Sequence, residues 1–576
     1  MKDLNIESKN IFGALSECKQ GFLIPDYQRP YAWGEDECQQ LWDDFLEFAK
    51  PGEWGDFDYD KERYFLGSIV TFKNEEGKFE VIDGQQRLTT ILLLLRAFHQ
   101  RYSQSKDERC EEVCRQLNKC LWKVSEEGKP LKGNPKIMSN VVSKEHSGEF
   151  EQIITEGEAG EKWESNYAKN YNFFLQKIDR FVGKYLSDNF YLPIRIMNNV
   201  TLLLIEADSQ LSALRIFSTL NDRGLPLSDA DIFKSQFYKF FNEKGRKDEF
   251  VERWKQLEER VSEIFASGRG SPMDELFTRY MYFEWARQGI RTNTTKALRD
   301  FFSAGNYKLL KDEVTLQNLE KLANFWKQVA DQDPEAFSEE VLKRLFVLNY
   351  APNGMWTYIC SVYFLTRCDK EGKLNNEEFL AFLRRITALI FSYALTIPGG
   401  NALRTPLYPA MNELADEKSK KDVTFENFKF KEKDLRETFK MTKFSNSRAI
   451  TRTILTWYAF NFQDQKLLEL TDNFQLEHIY ARNRHKVQPL KKADMLESLG
   501  NKSLLERKIN ISASDYQFED KRRKYTDEKS GTKIWELREQ VASNKDFKYK
   551  DIERREMQIV DAFIEFLKQE DLIETA

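Results

Sequence analysis

Apolar and polar positions change period most clearly between residues 78 and 98. Lys78 to Ile82 alternates as a strand does, Asp83-Gly84 makes a sharp turn, and Leu88 to Phe98 is so uniformly apolar that it reads as a buried helix. Tyr64 to Phe72 alternates as well and reads as the first arm of a hairpin feeding that turn. The polar residues Asp83, Gln85, Gln86 and Arg87 therefore sit at a strand-to-helix junction. Upstream, Trp42 to Phe48 has helical spacing, and IPDYQRPYAW at 24 to 33 is held extended by Pro25 and Pro30. Downstream, residues 99 to 195 read as helix-rich and VTLLLIEA at 200 to 207 as a buried strand. Ser228 with Asp231 three residues later forms a capping box that opens another helix. From Asp248 to Phe391 amphipathic helices follow one another, and Ser445 to Phe462 continues the pattern. The expected fold is α+β and predominantly helical.

Length divides this pattern into domains. A chain of 576 residues exceeds one core, and PGGNALRTPLYP at 398 to 409 is the clearest late break. Three segments are expected: an α/β segment over 1–245, a helical middle over 246–400 and a helical C-terminal segment over 401–576. The longest uncharged apolar run, Ile386 to Ile397, has 12 residues and is stopped by Pro398, short of the roughly 18 that a membrane span needs. With MKDLNIESKN at the start lacking a signal-peptide core, a cytoplasmic location and no membrane partner are expected. Seven irregularly spaced cysteines fit a reducing compartment, and Cys110, Cys114 and Cys120 read as buried small hydrophobes. The net charge of -5 does not advertise nucleic-acid binding. Between Glu477 and Lys529, however, 13 Lys and Arg stand against 9 Asp and Glu, a local basic excess.

Candidate chemistry gathers at two places. At the first, the helix that follows Gly84 leaves its opening N–H groups unpaired. An Arg in that first turn opposes the helix dipole unless an anion is bound, so Arg87 points to phosphate. Gln28 and Arg29 either pack an edge segment or face the same pocket. Asn221, Asp222 and Arg223 lie on a loop between helices, where capping and surface charge are the competing reading. None of the four Gly-Lys pairs, at 77, 128, 183 and 372, is followed by Ser or Thr, so a nucleotide would not be held by a P-loop.

The second place begins at Phe474 in FQLEHIYARNRH, with LGNKSLL at 499 to 505 and Asn510 in RKIN. Asn501 lies 23 residues after His478, and Asn510 follows 9 later. A carboxylate at Glu477, closed by a second oxygen ligand, suits a hard divalent cation, leaving His478 as a neutral imidazole able to take a proton from water. From Glu-His-Ile alone, a satisfied core histidine is the competing reading. His485 is the alternative ligand.

These spacings resemble the HNH, or ββα-metal, nuclease motif in the form that ends in Asn. The resemblance implies that Glu477 and Asn510 hold Mg²⁺ or Mn²⁺, that His478 is the general base and that Asn501 holds the loop aiming it. Lys521 and Arg522 would contact phosphate, with surface charge as the competing reading. The family more often has Asp where Glu477 stands.

IPDYQRPYAW, DGQQRLTT, FSTLNDRGLPLSDADIFKS, EHIYA and LGN, in that order, resemble the GmrSD-type restriction and phage-defence family over about residues 1 to 245 and 400 to 560. That resemblance implies a ParB-like and sulfiredoxin-like N-terminal fold that hydrolyses a nucleoside triphosphate (GTP, UTP, CTP or ATP) and senses DNA modification, and a C-terminal HNH nuclease. Gln28, Arg29, Asp83, Gly84, Gln85, Gln86, Arg87, Asn221, Asp222 and Arg223 become the nucleotide-site candidates, with Asp83 and Arg87 acting in hydrolysis. Glu477, His478, Asn501 and Asn510 become the nuclease candidates. The implied function is a nucleotide-regulated, metal-dependent endonuclease acting on double-stranded, modified phage DNA, with a homo-oligomer left open. The alternative is a nucleotide-binding sensor or adaptor whose HNH-like domain is inactive.

Overall fold

The computed structural model describes all residues except 1–4, 26–27, 29, 51–56, 75, 126, 140–147, 161–163, 187, 210–211, 214–215, 217–227, 266–270, 290–296, 400, 417–421, 514–516 and 575–576. The chain divides into two compact units, Met1–Val251 and Glu252–Ala576, with the boundary inside the helix Lys247–Ile264.

The first unit is built on a mixed sheet. Its strands are β1 (Asn5–Asn10), β2 (Phe22–Ile24), β3 (Tyr64–Lys73), β4 (Phe79–Asp83), β7 (Ile137–Ser139) and β8 (Val200–Ala207), in the spatial order β1-β8-β3-β4-β2-β7. Between them in sequence, β5 (Trp122–Val124) and β6 (Pro130–Pro135) make a separate two-stranded ribbon. β3 and β4 are antiparallel, as the alternating patterns predict, and β8 lies parallel to β3 with Leu204 opposite Ile69. The short strands β2 and β7 run parallel to each other and to β4; β2 ends where the segment expected to be extended begins, and β7 falls in the stretch expected to be helix-rich.

Against this sheet packs the helix Gln85–Tyr102, in which every residue from Leu88 to His99 is buried. That uniform burial is why its sequence shows no polar stripe. The helices Glu35–Ala49 and Asn166–Lys184 cover it, with Trp42 stacked near Phe98 and edge-on to Phe181. The capping box forms as expected at the helix Asp229–Glu243, with Ser228 and Asp231 each accepting from the other's backbone N–H.

The second unit is helical apart from β9 (Phe474–His478) and β10 (Lys502–Glu506), which pair antiparallel with His478 opposite Lys502 and Glu477 opposite Ser503. Among the described residues one helix, Asn376–Thr396, is long and apolar enough to cross a membrane, but 67% of its apolar window is buried within the protein. The helix Tyr549–Gln569 secures the turn that leads into β10. Its Arg555 is fully buried, pairs with Glu536 and donates to the carbonyls of Leu499, Gly500 and Lys502. Gly500 is required by this approach, since an added Cβ would lie 2.0 Å from the Ile552 carbonyl oxygen.

Candidate functional site

In the first unit, Asp83 ends β4 and Gly84 turns the chain with φ +88, a left-handed conformation that glycine adopts without penalty. The helix then starts with no side-chain cap hydrogen bond at Gly84, and the positive end of its dipole lies at this turn. Arg87 lies 3.7 Å from the Asp83 carboxylate and donates to the Ser68 carbonyl at 2.7 Å. The acid thus offsets an arginine that the helix dipole alone would disfavour.

The extended segment reaches this turn through two glutamines. Gln28 is buried and donates to the carbonyls of Ile82 and Val81 at 3.2 and 3.4 Å. Gln86 accepts from the N–H groups of Ala32 and Trp33 and donates to the Pro30 carbonyl. Both side chains therefore spend hydrogen-bonding capacity on backbone, tying the loop 30–33 to the turn. Tyr31 is locked in the same way, its hydroxyl 2.6 Å from Thr90 and accepting from Asn170. Gln85 is buried beside them. Of the expected set, Gln28, Asp83, Gly84, Gln85, Gln86 and Arg87 come together, while Arg29, Asn221, Asp222 and Arg223 lie outside the described residues.

In the second unit, β9, a long loop, β10 and the short helix Arg507–Ala513 follow in sequence, and Asn501 closes the loop from inside. Fully buried, it accepts from the Tyr480 N–H at 2.7 Å and donates to the carbonyls of Tyr480 and Leu496 at 3.2 and 2.9 Å. The chain is thereby fixed just past His478.

His478 is only 7% exposed, and its Nε2 lies 3.2 Å from the Glu497 carboxylate. Glu497 also accepts from Arg482 at 2.8 Å and Lys502 at 2.5 Å, and Lys502 shares the strand face of His478 because the two are cross-strand partners. Burial pushes the imidazole down to about 4, with Lys502 and Arg482 opposing its proton and Glu497 only partly offsetting them. Burial works the other way on Glu497, but Lys502, His478 and Arg482 outweigh it and hold the carboxyl at about 2. A neutral imidazole against an ionised carboxylate must donate from Nε2, which leaves Nδ1 as the basic nitrogen. Glu497 was missed in the sequence because nothing in LESLGN separates it from the many other acids; it meets His478 only through the loop that Asn501 closes.

Glu477 lies elsewhere. Successive strand residues face opposite ways, and Glu477 turns from His478 toward the helix Phe518–Thr526. There its carboxylate is paired with Lys521 and accepts from the Tyr525 hydroxyl at 3.2 Å. Asn510 donates to the Gln475 side chain at 2.8 Å. Lys521, expected at phosphate, is buried, and Arg522 pairs with Glu519. His485 accepts from the Leu490 N–H, a local turn contact. No group of three His, Cys, Asp or Glu that could hold a metal occurs among the described residues. Lys521 holds one carboxylate oxygen of Glu477, and Asn510 is bonded through its amide N–H to Gln475, so as placed the two are not assembled around a divalent ion.

Two family models match the chain: the GmrSD restriction endonuclease N-terminal domain over residues 11–238 and the GmrSD restriction endonucleases C-terminal domain over residues 429–562. The first spans the Asp83–Arg87 turn and the second spans both faces of β9. No curated protein matches the sequence.

Proposed function

Since the chain belongs to the GmrSD restriction endonuclease family, we propose that it is a DNA endonuclease of phage defence, cutting at His478 under the control of a nucleoside triphosphate bound at the Asp83–Arg87 turn. The observation that carries this reading is the buried His478–Glu497 pair, held in place by Asn501. Glu497 accepts the Nε2 proton and fixes the tautomer. Nδ1 takes a proton from water as its oxygen attacks a phosphodiester phosphorus, and the departing sugar oxygen leaves with the displaced bond pair. The transfer stands on the His478–Glu497 pair and calls on neither Glu477 nor Asn510. Arg482, bonded to Glu497 and more than half exposed, unlike the buried Lys502 and Lys521, is the cation offered to a DNA phosphate.

At the other site, the positive end of the helix Gln85–Tyr102 faces the phosphates of the nucleotide and Arg87 supplies positive charge, with Asp83 holding it in place. Turnover there changes the competence of the nuclease, and double-stranded DNA, modified phage DNA included, is the substrate. Homo-oligomer formation belongs to the same reading.

A second reading rests on Glu477, whose carboxylate is already paired with Lys521: a nucleotide-dependent DNA sensor or adaptor that does not cut. Phage plating on cells carrying wild type, Arg87→Ala or His478→Ala separates the two. Loss of protection in both variants supports the nuclease reading, while loss in Arg87→Ala alone, with His478→Ala still protective, selects the adaptor.

A further inference from the structure

The face of β9 opposite His478 holds a cation of its own. Gln475 and Glu477, two apart on the strand, share this face, Gln475 meeting Asn510 of the helix Arg507–Ala513 and Glu477 meeting the helix Phe518–Thr526. That helix sends Lys521 and, one turn on, Tyr525 to the same oxygen of the Glu477 carboxylate. Lys521 is 1% exposed, and its ammonium also donates to the His478 carbonyl at 2.6 Å. Tyr525 is fully buried, and its hydroxyl donates to Glu477 at 3.2 Å.

We propose that Lys521 is the resident cation of this site, occupying the Glu477 carboxylate oxygen and the His478 carbonyl that a divalent ion would take, and that Glu477 is therefore not a metal ligand in this protein. A carboxylate oxygen and a backbone carbonyl are the ligands that Mg²⁺ and Mn²⁺ take, and here the compact charge of an ammonium satisfies them. A second cation placed at Glu477 meets the charge of a buried lysine that has no solvent to retreat into. Asn510, the other expected ligand, is bonded through its amide N–H to Gln475 on the same face.

The test is Mn²⁺ titration of the full-length, nucleotide-free protein, followed by the electron paramagnetic resonance signal of free Mn²⁺. Because the readout is metal binding, its outcome is separate from that of the nuclease reading. Wild type, Glu477→Gln and Asn510→Ala are expected to bind Mn²⁺ alike. Lys521→Met is expected to gain a site at least ~10-fold tighter, since removing one unit charge at close range is worth more than that at an effective dielectric near 20. A wild-type site lost in Glu477→Gln or Asn510→Ala overturns the proposal, as does a folded Lys521→Met that binds no more tightly. Circular dichroism checks each variant, and the Asn510→Ala comparison stands even where Lys521→Met fails to fold.

Discussion

At the scale of single residues, His478 couples the proposed chemistry to pH. Its folded-state value near 4 lies below the ordinary 6.5, so between those values the unfolded chain binds a proton that the native state refuses. Stability is therefore lost as pH falls through that window, by about 2 kcal/mol between pH 6.5 and pH 5 from this group. His99 in the first unit is likewise held near 4 by burial and then by Arg96, and adds to the same loss. Glu497 works lower: depressed to about 2, its stabilisation is present above the ordinary carboxylate value and is lost only as pH falls toward 2. Urea unfolding at pH 7 and pH 5 should show His478→Gln losing about 2 kcal/mol less than wild type, and equal losses would contradict the burial argument. Asn501→Ala removes an amide that satisfies one buried N–H and two carbonyls. It is expected to lower the stability of the second unit by about 3 kcal/mol, read as a shifted urea midpoint.

Elements show where the sequence was legible. The hairpin, the turn and the helix after Gly84 are legible because period two gives way to continuous apolar sequence within a few residues, and β8 because Val200 to Ile205 is a short apolar run broken only by Thr201. Strands β1, β2 and β7 escaped: β1 is NIESKN, mostly exposed, and the other two have three residues each. Their pairing comes from neighbours in the sheet, which no local pattern records. Glu477 and His478 are adjacent in sequence, and their adjacency suggested a shared centre, yet strand alternation sends neighbours to opposite faces. The Asn501 clamp, by contrast, forms at the expected residue because a buried amide is what a closed loop requires. The turn before β10 yields its own expectation. Arg555→Ala would strand Glu536 in the interior and lower the stability of the second unit by about 4 kcal/mol, measurable by thermal unfolding. Gly500→Ala should cost about 2 kcal/mol through overpacking against the Ile552 carbonyl.

For the whole molecule, the ordered motifs at either end were legible well before the fold between them, and the two family matches fall in the two units, 11–238 in the first and 429–562 in the second. Net charge said little because what matters is which cations stay exposed, and several after Glu477 are paired internally: Lys502 with Glu497, Lys521 with Glu477 and Arg484 with Asp546. If the first unit binds a nucleoside triphosphate, saturating ligand should stabilise it by about 2.7 kcal/mol at one hundred times Kd. Thermal shift of wild type against Arg87→Ala reads this directly, and a shift that survives in Arg87→Ala would move the nucleotide away from the turn.

The central claim is that His478 is the base of a DNA endonuclease. Its most direct test is single-turnover cleavage of plasmid and phage DNA by purified full-length protein with nucleoside triphosphate, wild type beside a folded His478→Ala. The account predicts a rate at least ~100-fold slower in the variant, the lower end of what a positioned general base contributes. Equal cleavage by the two proteins would contradict it.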